Sequence, residues 1–308
     1  MKIAFLIHNN APFSHRNIMD GLLEEYPHES IQMTFEQYLE NQTSVDWVFL
    51  IDHYKIRSHY KEIKSKLAIW TLEDTYEIDS NLNIHHDVLF TNDEGAISIR
   101  KEHNQNVYLL PLACRKSIFK PKSLDNVWLK PRATGDKDKY ELIMVGNAFS
   151  NRVNIVNKLI EFIQENKIIM HIYGINWDKA KISCPYIFMH NNLISETELA
   201  HLYNSSEMAL EINRELHNQN TNKVKAITPG RGFNSLGCTC FTITDYRETS
   251  TKYFPESGIA YCKNMEDIKR NIMLNRFEKR KSAKIGHEAV YQNHTFSNRI
   301  ENIMDILK

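Results

Sequence analysis

ELIMVGNAFSNRVNIVNKLIE, residues 141–161, changes its period in mid-stretch. The run ELIMVGN (141–147) is short, almost continuously apolar and stops at a glycine, as a buried strand does. Beyond it the apolar residues fall at helical spacing. Val156, Leu159, Ile160 and Ile163 share one face of a helix expected over 152–165. A buried strand that feeds an amphipathic helix through a glycine turn is half of a βαβ unit. Repeated, such units build a parallel sheet covered by helices on both faces.

The design recurs downstream. IIMHIYG (168–174) is again a strand that ends in glycine, Ser195 and Glu198 form a capping box ahead of LAHLY, and MALEIN (208–213) is a strand. TPGRGFNSLGCTCFTITDY (228–246) predicts a cationic turn, a short helix and the strand FTITD, and residues 265–291 are helical and highly charged. Upstream, strands are expected at KIAFLIH (2–8), IQMTF (31–35), WVFLI (47–51), LAIW (67–70), DVLFT (87–91) and NVYLLPL (106–112), with helices over 15–25, 58–65 and 93–102. Between the two alternations lies FKPKSLDNVWLKPRATGDKDKY (119–140), whose two prolines, glycine and many charges mark a linker. In the last segment, TFSNRIENIMDILK, residues Phe296, Ile300, Ile303, Met304 and Leu307 form one stripe, so this helix must dock. The expected fold class is α/β with two Rossmann-like domains. The N-terminal domain spans 1–120, the linker 121–140 and the C-terminal domain 141–291, and a terminal helix covers 292–308.

Bulk properties narrow the function. The 308 residues carry no formal net charge, with 42% hydrophobic and 25% charged residues. This is a globular composition without the basic excess of a nucleic-acid binder. The apolar run of MKIAFLIHNN is too short for a signal-peptide core, and no run approaches the roughly 20 residues of a membrane span. Five cysteines without a C-x-x-C pair argue against a disulfide framework or structural zinc and for the cytoplasm. Cys238 and Cys240, alternating on an apolar segment, read as core.

Parallel α/β sheets bind ligands at the carboxyl ends of their strands. The loops to examine are therefore VGNAFSNR (145–152), YGINWD (173–178), EINRE (211–215) and TPGRGFN (228–234). In the first, Gly146 permits close backbone approach and Asn147 follows it. The helix N-terminus beyond favours negative charge, and Arg152 is placed to clamp a phosphate. An ordinary strand–helix turn with a solvated arginine remains the alternative. Gly174 and Asn213 mark the second and third loops. In the fourth, Gly230 and Gly232 keep the approach open, Arg231 supplies charge, and Asn234 and Ser235 are candidate ribose contacts. The pattern G-x-G-x-x-S lacks the third glycine and downstream acid of a dinucleotide fingerprint.

In the first half, His8 ends the first strand as a candidate base or acceptor-positioning group, or as a plain surface histidine. Glu73 and Asp74 follow LAIW, where an acidic pair serves as base or acceptor ligand, unless Asp74 caps a helix. Asp136-Lys137-Asp138 is a D-x-D in the polar linker rather than after a strand, and the fourteen histidines form no H-x-x-x-H pair, so no metal site is expected.

From about Val107 onward the chain resembles the CgeB-like glycosyltransferases, a family named for a spore-maturation protein, and GT-B glycosyltransferases more broadly. The matching pieces, in matching order, are LLPLACRKSIFKP (109–121), LIMVGNAFSNRVNIVNKLIE (142–161), IYGINW (172–177), ELAHLYNSSEMALEIN (198–213), RGFNSLGCTCFTITDY (231–246) and GHEAVYQNHTFSNRIENIMDIL (286–307). IWTLEDTYEID (69–79) and DVLFTNDEGA (87–96) are similar to the family's N-terminal half. The resemblance implies a GT-B fold, with two domains facing across a cleft and the final helix crossing back to the N-terminal domain. A nucleotide-diphosphate sugar would bind mainly to the second domain, and an unknown glycan, protein or small-molecule acceptor against the first. Arg231 and Phe233 match the family's R-x-F-E, but Asn234 replaces its glutamate, which in related enzymes binds the donor ribose. Thr239 stands where the family commonly has glycine.

The expected function is metal-independent sugar transfer in spore-coat or surface glycan formation, with no cofactor beyond the donor. His8, Asp74 and Arg231 are the catalytic candidates, and analogy points to retention of configuration. By resemblance, the mother cell or spore surface joins the cytoplasm as an expected location. A catalytically weak nucleotide-sugar-binding or coat-assembly protein is the alternative that Asn234 supports, and a sugar-nucleotide epimerase is a third.

Overall fold

The structure, a computed structural model, describes residues 1–9, 11–26, 28, 30–41, 44–72, 84–122, 140–214 and 230–308. Backbone contacts divide them into two units. One takes Met1–Leu112 with Thr295–Lys308, and the other takes the described residues between Ala113 and His294.

In the first unit β1 (Ile3–Ile7), α1 (Phe13–Glu25), β2 (Ile31–Thr34), α2 (Phe35–Asn41), β3 (Trp47–Ile51), β4 (Lys66–Thr71), β5 (Val88–Thr91), α3 (Glu94–Lys101) and β6 (Val107–Leu109) follow one another. The six strands pair in the order β2-β1-β3-β4-β5-β6, all parallel. WVFLI is buried at all five positions, which is why it reads as a continuous apolar run rather than an alternation. The helix expected over 58–65 is instead a 3-10 helix at Tyr54–Glu62. Tyr60 there is fully buried, and its hydroxyl donates to Asp52 at 2.9 Å.

The second unit contains β7 (Tyr140–Val145), α4 (Ser150–Glu165), β8 (Met170–Tyr173), β9 (Ile187–His190), α5 (Glu196–Ser205), β10 (Ser206–Glu211), α6 (Gly230–Gly237), β11 (Phe241–Asp245), β12 (Ala260–Cys262), α7 (Met265–Ile272) and α8 (Arg276–Asn293). Its order is β12-β11-β10-β7-β8-β9, again all parallel. Val156, Leu159 and Ile163 of α4 pack with Leu142, Met144, Met170 and Ile172 of the neighbouring strands. Residues just after Leu112 belong here: Cys114 N donates to His294 O at 2.8 Å, and Tyr291 Oη to Phe119 O at 2.9 Å. Four of the five cysteines are buried, all are free, and burial pushes the Cys114 thiol up to about 12.

The terminal helix α9 (Phe296–Leu307) opens with a capping box of Thr295 and Asn298 and lies on α1. Phe296, Ile300, Ile303 and Leu307 are buried, and a Cβ on Gly21 of α1 would fall 2.5 Å from the Phe296 ring. The Arg299 guanidinium donates to Pro111 O at 2.7 Å and Leu112 O at 3.0 Å, which ties the helix to the end of the first sheet's chain.

Candidate functional site

In the second sheet the chain runs outward from β7 to β8 and β9, then returns to lay β10 against the other side of β7. The helices after β7 and β10 therefore leave in opposite directions. A crevice opens outside the carboxyl ends of these two strands, where ligands of such sheets bind.

Two glycines shape it. Gly146 after β7 has φ +144° and Gly174 after β8 has φ +145°, conformations that favour glycine. Their turns touch through backbone alone: a Cβ on Gly174 would sit 2.3 Å from Gly146 O. Gly146 N donates to Tyr173 O at 2.8 Å, and the buried Trp177 indole donates to Gly146 O at 2.7 Å. Asn147 Oδ1 accepts from Ile175 N at 3.3 Å, so the Asn147 side chain joins the two turns.

Two arginines close over Gly146. Arg152 donates through Nε to Ile212 O at 2.8 Å and through Nη1 to Asn147 O at 3.0 Å. Arg231 donates through Nε to Glu211 Oε2 at 2.8 Å and through Nη2 to Ile212 O at 3.4 Å. A Cβ on Gly146 would meet Arg152 Nη1 at 2.7 Å and Arg231 Nη1 at 3.2 Å, which puts those two nitrogens within about 6 Å of each other. Two cations and the single carboxylate of Glu211 thus share the turn, and like charges so close favour an anion between them. The arginines differ in access. Arg152 is 4% exposed, whereas the Arg231 side chain is 31% exposed.

A helix end adds to the field. α4 starts after Phe149, whose side chain has no oxygen to accept from the first-turn amides. Gly230, Arg231 and Gly232, the first described residues of α6, are helical. The N-terminus of α4 favours negative charge.

Other expected contacts are structural. Phe233 is 0% exposed, with its ring 4.7 Å from Phe254 and 5.3 Å from His294, so it belongs to the core and not to the wall of the crevice. Ser235 is equally buried, with its hydroxyl 2.8 Å from Thr242 Oγ1. Asn213 is buried and bound to Asp245 Oδ1 through N (2.9 Å) and Nδ2 (3.0 Å), while Asn151 Nδ2 donates to Asn213 O at 2.7 Å. These bonds lock the loops after β7, β10 and β11 together. Gly232 is buried within α6, while Gly230 and Asn234 are half-buried. The sequence reading missed Glu211, Tyr203, Asn151 and Asp245. Glu211 was detectable as an acid closing the apolar run MALE; Tyr203 looks like any core residue of a helix.

The first sheet has a matching reversal between β1 and β3, where His8 and the pair Asp52–His53 stand. The His8 and His53 rings stack at 5.1 Å, and His15 of α1 meets His53 edge-on at 6.2 Å. His8 Nε2 lies 3.3 Å from Glu36 Oε1. Asp52 is held by Arg57 and Tyr60. Burial, then the nearby His53, lowers the His15 pKa to about 4; burial and His8 also lower that of His53. Glu73, Asp74 and the D-x-D at 136–138 lie outside the described residues. A separate cavity of about 620 Å³ runs along α5, lined by Tyr173, Asn192, His201 and Lys122 among others, and does not include the arginines.

A family profile described as glycosyl transferase-like matches residues 152–305. The spore protein CgeB of Bacillus subtilis (strain 168) is 24% identical over 224 residues, covering 70% of this chain and 66% of CgeB. The chain thus spans just under two thirds of that relative's length. Among solved structures, an alpha-glucosyltransferase in complex with UDP and a 13-mer DNA superposes with a TM-score of 0.67 at 11% identity, covering 100% of this chain and 99% of the other. A trehalose-6-phosphate synthase studied for glycosyl transfer with retention gives a TM-score of 0.64 at 8% identity, with 100% and 99% coverage. The two parallel six-stranded sheets with their helices are the GT-B fold of these neighbours.

Proposed function

This chain belongs to the glycosyl transferase-like family, and on that premise we propose that it moves a sugar from a nucleotide-diphosphate sugar to an acceptor hydroxyl. The observation that carries the proposal is the convergence of Arg152 and Arg231 over Gly146 at the chain reversal of the second sheet. When a glycosidic bond to a diphosphate breaks, negative charge grows on the leaving oxygen. Preorganised cations and helix-terminal amides aimed at that position lower the barrier without reorganising as it is crossed. In this reading Arg231 contacts the diphosphate, Arg152 holds the turn and adds its field, and the backbone of Gly146 approaches the phosphates. The transfer is metal-independent because these fixed cations meet the leaving charge. Retention of configuration is supported by likeness to the trehalose-6-phosphate synthase fold. An acceptor in spore-coat or surface glycan is supported by the spore-protein relative, and a cytoplasmic site of action by five free cysteines.

Thermal shift with UDP and UDP-glucose tests the donor site. A ligand at 100 times its dissociation constant adds about 2.7 kcal/mol of stability, and Arg231→Ala is expected to remove most of that gain. An undiminished shift in the variant overturns the assignment. Asn234, in place of the glutamate of the resembled family, favours a second reading as a nucleotide-sugar-binding protein of low turnover. Tight UDP binding with no donor hydrolysis and no transfer to any acceptor would select it.

A further inference from the structure

Glu211 is the last residue of β10 and is 1% exposed. Both of its carboxylate oxygens are engaged: Oε2 accepts from Arg231 Nε at 2.8 Å, and Oε1 accepts from the Tyr203 hydroxyl at 2.6 Å. Tyr203 is itself buried in α5, and burial, then the charge of Glu211, holds its phenol pKa well above the ordinary value, so the hydroxyl stays a donor. The Arg231 guanidinium is gripped along one edge, Nε on Glu211 and Nη2 on Ile212 O, while Nη1 points over Gly146.

A site built only for positive potential would not bury a carboxylate against the more accessible of its two converging arginines. The negative charge of Glu211 weakens attraction for every anion alike. It gains a guanidinium whose plane is fixed before a ligand arrives, and a planar fork recognises phosphate only in the right orientation. We infer that Glu211, held by Tyr203, is the positioning residue that aims Arg231, and that preference for a nucleoside diphosphate over a monophosphate depends on this buried chain although no ligand touches it. The inference rests on the donor-site reading above and deepens it.

The readout is the ratio of UMP to UDP dissociation constants, measured by calorimetry on the full chain. In the unaltered protein a charge-assisted contact to the second phosphate is expected to make the ratio about tenfold or more. Arg231→Ala collapses it toward one. Glu211→Gln lowers it at least about threefold, and has no effect on it once Arg231 is alanine, because Glu211 acts through that side chain. If Glu211 merely balanced charge, its replacement would tighten UMP and UDP together. If it merely held the fold, replacement would weaken both together. Either result leaves the ratio unchanged and overturns the inference. Should Glu211→Gln not fold, Tyr203→Phe keeps the buried ring and removes only the hydroxyl. A fall in the ratio there supports the chain, and an unmoved ratio overturns it. A ratio near one in the unaltered protein, unchanged by Arg231→Ala, defeats the donor-site reading instead.

Discussion

Both sheets reverse direction beside their first strand, between β1 and β3 in one and between β7 and β10 in the other. At the second reversal the chain places two touching glycine turns, at φ near +145°, and two guanidiniums over Gly146. At the first it places His8, His15 and His53 against one another, with Asp52 fixed by Arg57 and Tyr60. Topology supplies a crevice in each case, and composition decides its use. One end presents backbone and permanent positive charge, suited to phosphate at any physiological pH. The other presents groups whose charge depends on pH and which are largely buried.

The strongest way to break that contrast is to add one methyl group at Gly174. Its Cβ would fall 2.3 Å from Gly146 O and 2.5 Å from Gly146 C, both backbone, on a residue at φ +145°. Neither neighbour can rotate away, so the two turns must separate. Gly174→Ala is expected to cost about 3–5 kcal/mol in urea unfolding of the second unit and to abolish the UDP response. Gly146→Ala meets the movable ends of Arg152 and Arg231 instead, and is expected to cost less stability while still losing the response. His8→Ala, in the other unit, should leave the UDP shift intact. If Gly174→Ala unfolds with an unchanged midpoint, backbone contact is not what builds this end of the sheet.

Acid sharpens the contrast from the other side. In the unfolded chain His15 titrates near 6.5; in the fold burial and His53 bring it to about 4, and its Nδ1 is buried without a hydrogen-bond partner among the described residues. A depressed pKa means that the unfolded chain binds the proton more readily. The contribution of His15 to the first unit's stability is therefore full above pH 6.5 and is lost as pH falls toward 4, by about 3 kcal/mol. Urea midpoints measured from pH 7 to 4 should fall in the unaltered protein and flatten in His15→Gln. An equally steep fall in the variant would place the acid sensitivity elsewhere.

How far these ends were legible follows from the same physics. Interior strands such as WVFLI and FTITD announce themselves because both faces are covered. The edge strands β9 and β12 did not: IFMH and AYC are only four and three residues long, too short for their apolar runs to be told from a loop. The charged stretch 265–291 reads as one helix, yet it breaks between Ile272 and Arg276, where Asn275 and Glu278 cap a new start. The convergence of the glycine and arginine loops was legible because Gly146, Gly174 and Arg152 follow strands at their carboxyl ends, where such loops meet. The burial of Phe233 and Ser235 was not legible, because successive helical residues point about 100° apart and position within a motif does not say which way each faces. Glu211 and Tyr203 stayed hidden because their partnership is made across space, not along the chain.

The smallest expected effect concerns Thr239, one of three non-glycine residues at positive φ among the described residues of the second unit. α6 ends in a paired turn: Cys240 N donates to Ser235 O at 3.0 Å and Thr239 N to Leu236 O at 2.9 Å. This Schellman geometry calls for glycine at the residue after the cap. Thr239 stands there at φ +56°, which costs a β-branched side chain about 1–2 kcal/mol. Its hydroxyl recovers part of that by donating to Cys238 O at 2.6 Å. Thr239→Gly relieves the backbone, loses this bond and frees the unfolded chain, so the expected net gain is only about 0.5–1 kcal/mol, or roughly 1–4 °C in melting temperature. The UDP shift should not change, because Thr239 lies at the far end of α6 from Arg231. A loss of stability would mean that the hydroxyl outweighs the strained dihedral. Glycine would then be dispensable at this cap, in contrast to Gly174, where backbone meets backbone.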